Sequence, residues 1–178
     1  PQALTDCLNF GNPEKPEAFW EFDEAVRGLS DAAKQIWLKE HQNQPVPIIS
    51  GNVSLYNESA TGNAISPSAI IACVGTMPDY SLAVTMQLKS VGDRLYLIGP
   101  RQDELGGSAY YRVLGLGLGA NVPKPDFELH RAMIYAVTDA IEAGHLAACT
   151  DIADGGLLGA LSEMILGSYA RGDLGVDI

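Results

Sequence analysis

Short apolar segments alternate along this chain with longer segments whose apolar residues recur every three or four positions. The longest of these stripes, from Phe22 to Trp37, predicts a helix that begins at Pro16 and ends near His41. The same spacing predicts a second long helix over 129–141 and a third after Gly156. A short helix is predicted between these long ones, over 106–114.

The short apolar segments are predicted strands. They cover 3–10, 48–49, 69–74, 81–88, 94–98 and 147–150. Strands that alternate with helices favour an α/β fold, with α+β layers as the related form, over a helical bundle or a β-sandwich. A turn-like stretch at 77–80 predicts a boundary between two domains, 1–79 and 80–178.

Charge excludes several classes of partner. The chain has 178 residues with 11 Lys and Arg against 22 Asp and Glu, a formal net charge of −11. Such a chain lacks the diffuse positive field that non-specific binding to nucleic acid or to an acidic membrane needs. An anionic ligand would have to be held by backbone N–H groups, helix N-termini or a divalent cation, which favours a metal-assisted site.

The cysteines and the chain ends indicate the cellular setting. Cys7, Cys73 and Cys149 are odd in number and far apart, which predicts reduced thiols in the core. The sequence contains neither a signal-peptide pattern nor an apolar run of about 18 residues, so we expect a cytoplasmic protein without a membrane span. A start at Pro1 and a strand-like end over 175–178 suggest a fragment of a longer protein.

The stretch Ser50–Glu58 is dense in polar and permissive residues directly behind an apolar segment. We expect a strand to end there in a functional loop. Gly51 leaves the backbone open to a phosphate, Asn52 offers a neutral oxygen to a hard cation, and Ser54 offers a hydroxyl to an anion. A plain hydrogen-bonded loop that caps the strand explains the same residues about as well.

Three carboxylates are further candidates. Asp6 lies inside an apolar strand, where an unpaired carboxylate is costly to desolvate, unless it faces solvent or caps a turn. Asp151 and Asp154 lie three residues apart before Gly155, where two carboxylates could share Mg²⁺. The alternative for Asp154 is an N-cap of the helix that follows.

Other conspicuous residues are assigned no chemistry. His41, His130 and His145 have no Ser, Cys or Glu at a spacing that indicates a base and a nucleophile. The acidic run 14–24 is typical of a solvated helix start. The Gly-spaced stretch 114–119 lacks the flanking strand and helix of a dinucleotide fingerprint, so we interpret it as a flexible loop.

Two long motifs, residues 3–17 and Ser50–Glu58, closely resemble the phosphoribosylformylglycinamidine synthase family of purine biosynthesis. Leu105–Ser108 and Asp154–Leu157 follow in the order expected for that family, so the resemblance covers essentially the whole chain. It implies the second of two tandem repeats of the aminoimidazole ribonucleotide synthetase-like fold. Residues 1–79 would be the C-terminal part of a truncated N-terminal sheet domain. Residues 80–178 would be the N-terminal part of a truncated C-terminal α/β domain.

The resemblance also implies an activity and a set of site residues. ATP would activate the formyl oxygen of formylglycinamide ribonucleotide, and ammonia from a glutaminase would displace it to form the amidine. Carried over by position, Asp6 and Gly51 match ATP-contacting residues, Asn52 matches a Mg²⁺ ligand, and Ser54 matches a substrate contact. Asp151 and Asp154 match a position that binds metal either in the related repeat or in a structural nucleotide site of long-form members.

The same resemblance implies partner subunits and a lack of activity in the isolated fragment. The partners would be the first repeat of the synthetase, a glutaminase subunit and a small bridging subunit. The catalytic histidine of the family belongs to the first repeat, so we expect the isolated fragment to be inactive and to self-associate as a dimer. Residues 38–47 are longer than the family leads us to expect, which predicts a surface insertion. The alternative function is a non-catalytic scaffold that binds nucleotide or dimerises.

Overall fold

The computed structural model describes residues 1–168, 172 and 174–177. Its described residues divide into two units, one formed by 1–78 with 127–131 and the other by 79–126 with the described residues from 132 onwards. Residue 178, part of the strand expected over 175–178, lies outside the described residues.

A three-stranded sheet organises the first unit. Strands β1 (Ala3–Asn9), β2 (Ile48–Ser54) and β3 (Ser68–Val74) lie in the order β2-β1-β3. β1 pairs in parallel with β2 and antiparallel with β3. Helix α1 (Pro16–Gln35) lies between β1 and β2 in the sequence, as the crossover of a parallel pair requires.

Helix α1 begins where local chemistry favours it. Pro16 occupies the first turn, where its missing N–H costs nothing, and Glu17 complements the positive end of the helix dipole. The helix buries Ala18, and its Phe22 ring packs edge-on against Phe10, with 5.5 Å between ring centroids. Phe10 is 1% exposed, so this aromatic pair forms the centre of the first unit's core.

The helix ends six residues earlier than its apolar spacing predicts. The chain turns back after Gln35, and the Val46 N–H donates to the Ala33 carbonyl at 2.9 Å. Leu38 N–H donates to the Gln44 carbonyl at 3.1 Å, which closes a turn in place of a further helical turn. Residues 39–45 are exposed and Val46 is buried, as a surface insertion anchored at its end would be.

The regular elements among the described residues beyond 78 are helices, separated by long irregular stretches. A short 3-10 helix (Tyr80–Leu82) precedes α2 (Ala109–Val113), α3 (Phe127–Glu142) and α4 (Gly156–Gly167). The three α-helices lie where their spacing predicts them. The stretch 114–119 is irregular, as predicted for a loop.

The strands predicted over 81–88, 94–98 and 147–150 are wrong: these segments carry no strand pairing in the described residues. Cys149 N–H donates to the Thr85 carbonyl at 3.3 Å, so two of the segments meet without forming a ladder. An apolar segment becomes a strand only when a neighbour satisfies its row of N–H and C=O groups. The described residues place no such neighbour beside them.

The buried set is small for a chain of this mass. Its hydrophobic members are Leu8, Phe10, Ala18, Ala33, Val46, Leu88, Ala160 and Met164. The fully buried Ser168 hydroxyl accepts from the Leu88 N–H at 2.7 Å and donates to the Met164 carbonyl at 2.6 Å. The accessible surface is 12736 Å², against about 8,300 Å² for a folded monomer of 18.9 kDa. Much apolar surface is therefore uncovered.

The three cysteines form no disulfide among the described residues, and the prediction that they are core residues is wrong. Cys7 and Cys149 are half-buried and Cys73 is exposed. Cys73 lies on β3, which pairs on one side only among the described strands, and this position explains its exposure. No helix in the described part of the chain is long and apolar enough to cross a membrane.

The open edge of β3 generates a prediction about association. Ile70 on this strand is 62% exposed, and an apolar edge strand invites pairing with another chain. We expect the 178-residue chain to self-associate in sedimentation velocity at micromolar concentration, and Ile70→Lys to weaken association roughly tenfold because a charge disfavours edge pairing.

Val91→Lys is the matched control, since Val91 is 91% exposed and lies outside every strand. A monomer at all concentrations, or equal weakening by both variants, would contradict the expectation.

Candidate functional site

Residues 50–54, predicted to open a loop, lie in strand β2, and the loop begins only after Ser54. β2 extends to Ser54, so Gly51 and Asn52 have extended backbone and pair with β1. The expectation of a loop starting at Ser50 is therefore wrong. The reason is that β1 offers a complete parallel ladder to these polar residues, and pairing overrides their turn propensity.

The register between β1 and β2 brings the candidate residues side by side. Asp6 lies opposite Gly51, Cys7 opposite Asn52, and Asn9 opposite Ser54. Because side chains alternate along a strand, paired residues share a face and their neighbours occupy the other face. Asp6 and Gly51 therefore lie on one face of the sheet.

The Asp6 side chain on β1 occupies the space beside Gly51. A Cβ placed on Gly51 would lie 2.6 Å from Cγ and 2.7 Å from Oδ2 of Asp6, closer than real Cβ contacts occur. The Asp6 carboxylate thus lies over Gly51, in the space that a side chain would take. This packing gives Gly51 a structural role beside the predicted one, in which it leaves the backbone open to a phosphate.

Asn52 and Ser54 lie on the opposite face from Asp6. They share that face with Cys7 and Asn9, and both Asn52 and Ser54 are exposed. At the start of the same face the hydroxyls of Thr5 and Ser50 are 2.7 Å apart, and Thr5 also donates to the Ser50 carbonyl at 3.0 Å. This face therefore carries Cys7 and five polar side chains: Thr5, Asn9, Ser50, Asn52 and Ser54.

The side chains on this face could hold a hard cation only together with oxygen atoms from a bound molecule. The Asn52 amide oxygen is a type of ligand that Mg²⁺ accepts. In the described residues, no group of three His, Cys, Asp or Glu side chains could hold a metal ion. A Mg²⁺ ion at Asn52 would therefore need oxygens from a bound phosphate or from water.

Backbone bonds join the two loops that follow β1 and β2. The Ser54 carbonyl accepts from the Phe10 N–H at 3.0 Å and from the Asn57 side-chain amide at 3.0 Å. The Gly11 carbonyl accepts from the Tyr56 N–H at 2.9 Å, and the Phe10 carbonyl accepts from the Asn57 N–H at 3.2 Å. The end of β2 is thus tied to the end of β1.

Tyr56 has a left-handed backbone, with φ of 58°. This conformation costs a bulky side chain about 1–3 kcal/mol and persists only where surrounding contacts impose it. The bonds described above and a 3.5 Å contact from the Tyr56 hydroxyl to Glu14 Oε1 supply such contacts.

An ion pair joins the far ends of the same loops. Lys15 Nζ lies 2.6 Å from Glu58 Oε1. The hydrogen bond from Lys15 lowers the pKa of Glu58 from its usual value, and the charge of Lys15 adds to the effect. A carboxyl with a lowered folded-state pKa contributes stability above its unfolded pKa and loses it as the pH falls through the folded value. The lowered pKa therefore keeps the Glu58 carboxylate ionised at neutral pH.

Sequence reasoning assigned neither member of this pair a role. Lys15 sits within a run interpreted as a solvated helix start, and Glu58 closes the polar stretch. One feature of the sequence could have indicated the pair. Lys15 belongs to one long motif and Glu58 to the other, and opposite charges near the ends of two such motifs indicate a contact.

Asp151 and Asp154 are both exposed and belong to the second unit, whereas Asp6, Asn52 and Ser54 belong to the first. The alternative reading of Asp154 as an N-cap is wrong. The N-cap of α4 is Gly155, with φ of 83° and no side-chain cap bond. A glycine takes this position because a left-handed backbone is free of strain only without a Cβ.

Two family models match the chain. The model described as AIR synthase related protein, N-terminal domain, matches residues 1–77, and that of the C-terminal domain matches residues 90–176. The chain belongs to the AIR synthase related family. The synthetase-like α/β fold is thereby confirmed, and a curated relative confirms the resemblance drawn from the motifs.

A curated relative narrows the comparison within this family. The chain is 62% identical over 166 residues to "Phosphoribosylformylglycinamidine synthase subunit PurL" of Methanothrix thermoacetophila. The match covers 93% of this chain and 22% of the relative, so the chain spans about a fifth of the length of the relative that it matches.

The crowding at Gly51 generates a prediction for this AIR synthase related chain. Gly51→Ala should lower the free energy of unfolding by about 1–3 kcal/mol, because its Cβ displaces the Asp6 carboxylate. Adding Asp6→Ala should recover part of that loss, which urea denaturation of the single and double variants measures as a coupling of at least about 0.5 kcal/mol.

Gly28→Ala is the control, since nothing lies within 4 Å of a Cβ there and the helix should gain roughly 0.5–1 kcal/mol. Additive effects of Gly51→Ala and Asp6→Ala would show that the carboxylate is not the obstacle.

Proposed function

We propose that this chain is the nucleotide-binding part of a phosphoribosylformylglycinamidine synthase. The full enzyme would be an ATP-dependent carbon–nitrogen ligase that converts formylglycinamide ribonucleotide to its amidine with ammonia from glutamine. The observation that carries the proposal is the polar face with exposed Asn52 and Ser54, in a chain so similar to a PurL subunit.

The proposed roles follow the two faces of the β1–β2 pair. On one face Asn52 would hold Mg²⁺ on the ATP phosphates and Ser54 would donate to the substrate. On the other face the Asp6 carboxylate over Gly51 would contact ATP. Among the described strands β2 pairs only with β1. A nucleotide lying along the outer edge of β2 could therefore reach both faces past Gly51.

The residues of this chain would bind and orient the reactants. When bound, Mg²⁺ would neutralise phosphate charge, which an acidic chain of net charge −11 cannot do by itself. Asn52 would hold the Mg²⁺ ion in position, and the Ser54 hydroxyl would hold the substrate beside that ion. Asp151 and Asp154 are proposed only as a further metal position.

The proposal includes partners and a place of action. Residues 1–79 would be the C-terminal part of the N-terminal domain of the second repeat, residues 80–178 would begin its C-terminal domain, and the first repeat of the synthetase would be a partner. A glutaminase subunit would supply ammonia, and a small subunit would bridge the two. No membrane or nucleic-acid partner is proposed, and the enzyme would act in the cytoplasm.

A non-catalytic scaffold is the second candidate function. The opposite faces of Asp6 and Asn52 favour it, because a scaffold does not need these side chains to converge. The exposure of Asn52 and Ser54 favours ligand binding, because a scaffold packs its polar groups or leaves them without a common surface.

The division of the site between repeats gives a first test. Purified residues 1–178 should form no amidine from formylglycinamide ribonucleotide with ATP, Mg²⁺ and ammonia, because the catalytic histidine is expected in the first repeat. The measurement is amidine formation against a control without protein. Turnover above that control would show that the chain holds a complete active site.

Asn52→Leu in the full-length synthetase tests the metal assignment. Leucine keeps roughly the same volume and removes the amide oxygen, so turnover at limiting Mg²⁺ should fall about 100-fold or more. The melting temperature should stay unchanged, since Asn52 is exposed.

The matched control is Asn63→Leu, because Asn63 is also exposed and its amide contacts only the neighbouring turn, at Thr61. Near-normal turnover of Asn52→Leu, or a loss explained by unfolding, would favour the scaffold.

A further inference from the structure

The ion pair between Lys15 and Glu58 joins two segments that are far apart in the sequence. Lys15 is the residue before α1, and Glu58 ends the loop after β2. The atoms Nζ and Oε1 are 2.6 Å apart, and the two side chains are 54% and 23% exposed. Between these ends lie the backbone bonds that tie Tyr56 and Asn57 to the residues following β1.

Stability alone is a poor explanation for such a pair. Exposed ion pairs contribute little to folding because water screens them and two long side chains lose freedom. A second exposed cation of the first unit, Arg27, pairs with Asp23 and Glu24 within its own helix. Lys15 and Glu58 differ in that they hold two loops together across the sequence.

The residue closest to these loops among the candidates is Ser54. It is the last residue of β2, and its carbonyl takes hydrogen bonds from both loops, through Phe10 and Asn57. Asn52 lies inside the β1–β2 ladder, which holds it whether or not the loops are ordered. Loosening the loops should therefore move Ser54 more than Asn52.

We propose that Lys15 and Glu58 form a positioning pair that holds the end of β2 in place and so sets the affinity for the ribonucleotide substrate rather than for ATP. The inference rests on the proposed function, in which Ser54 contacts that substrate. The strained backbone of Tyr56 lies between Ser54 and Glu58. The ion pair therefore also holds this segment in a conformation that its backbone would otherwise leave.

The kinetic test uses the full-length synthetase. Lys15→Met and Glu58→Gln should each raise KM for formylglycinamide ribonucleotide about fivefold or more, with KM for ATP and kcat within about twofold. The charge swap Lys15→Glu with Glu58→Lys should restore KM to within about twofold, because it restores the pair. Arg27→Met is the matched control and should leave every constant unchanged.

A second measurement does not depend on catalysis. Lys15→Met should speed hydrogen exchange at the amides of Tyr56 and Asn57 about tenfold, because those N–H groups bond across the two loops. Unchanged exchange would overturn the inference whatever the enzyme does. Faster exchange in Lys15→Met with an unchanged KM for the ribonucleotide would also overturn it. So would an equal change of exchange or KM in Arg27→Met, or a charge swap that fails to restore KM.

Failure of the proposed function gives a different result. In that case the full-length protein forms no amidine, or Asn52→Leu retains its turnover, and neither result alters the exchange at Tyr56 and Asn57.

Discussion

Strand β1 pairs on both sides, in parallel with β2 and antiparallel with β3, and every candidate residue of the first unit depends on that pairing. The register with β2 decides which side chains are neighbours. It places the Asp6 carboxylate over Gly51 and turns Asn52 and Ser54 to the other face. A slip of one residue would exchange the two faces, so the chemistry of the site is set by backbone hydrogen bonds.

The same pairing explains why polar residues can lie within a strand. Residues 50–54 have the composition of a turn, and a ladder with β1 holds them extended. The strands end together, so their following loops meet, and cross-loop bonds hold Tyr56 in a left-handed backbone. A ligand at this end of the sheet would meet groups whose positions are already determined, which reduces the ordering cost of binding.

Much of the helical structure could be predicted from spacing. The apolar residues that include Val26 and Val137 recur every three and four positions, and this spacing is specific to helices even though Val26 is exposed and α3 buries no described residue. The predicted strand at 94–98 failed because apolar composition does not supply a partner. The end of α1 at Gln35 was missed because the return of Val46 to Ala33 is a contact between distant residues.

The sequence by itself determined the family, the helices and the residue types available to a ligand, because long motifs and local periodicity are properties of neighbouring residues. It could not determine that Asp6 and Asn52 lie on opposite faces, or that Lys15 meets Glu58. Those facts depend on strand register and on loop closure over more than forty residues, and both are decided only when β1 and β2 pair.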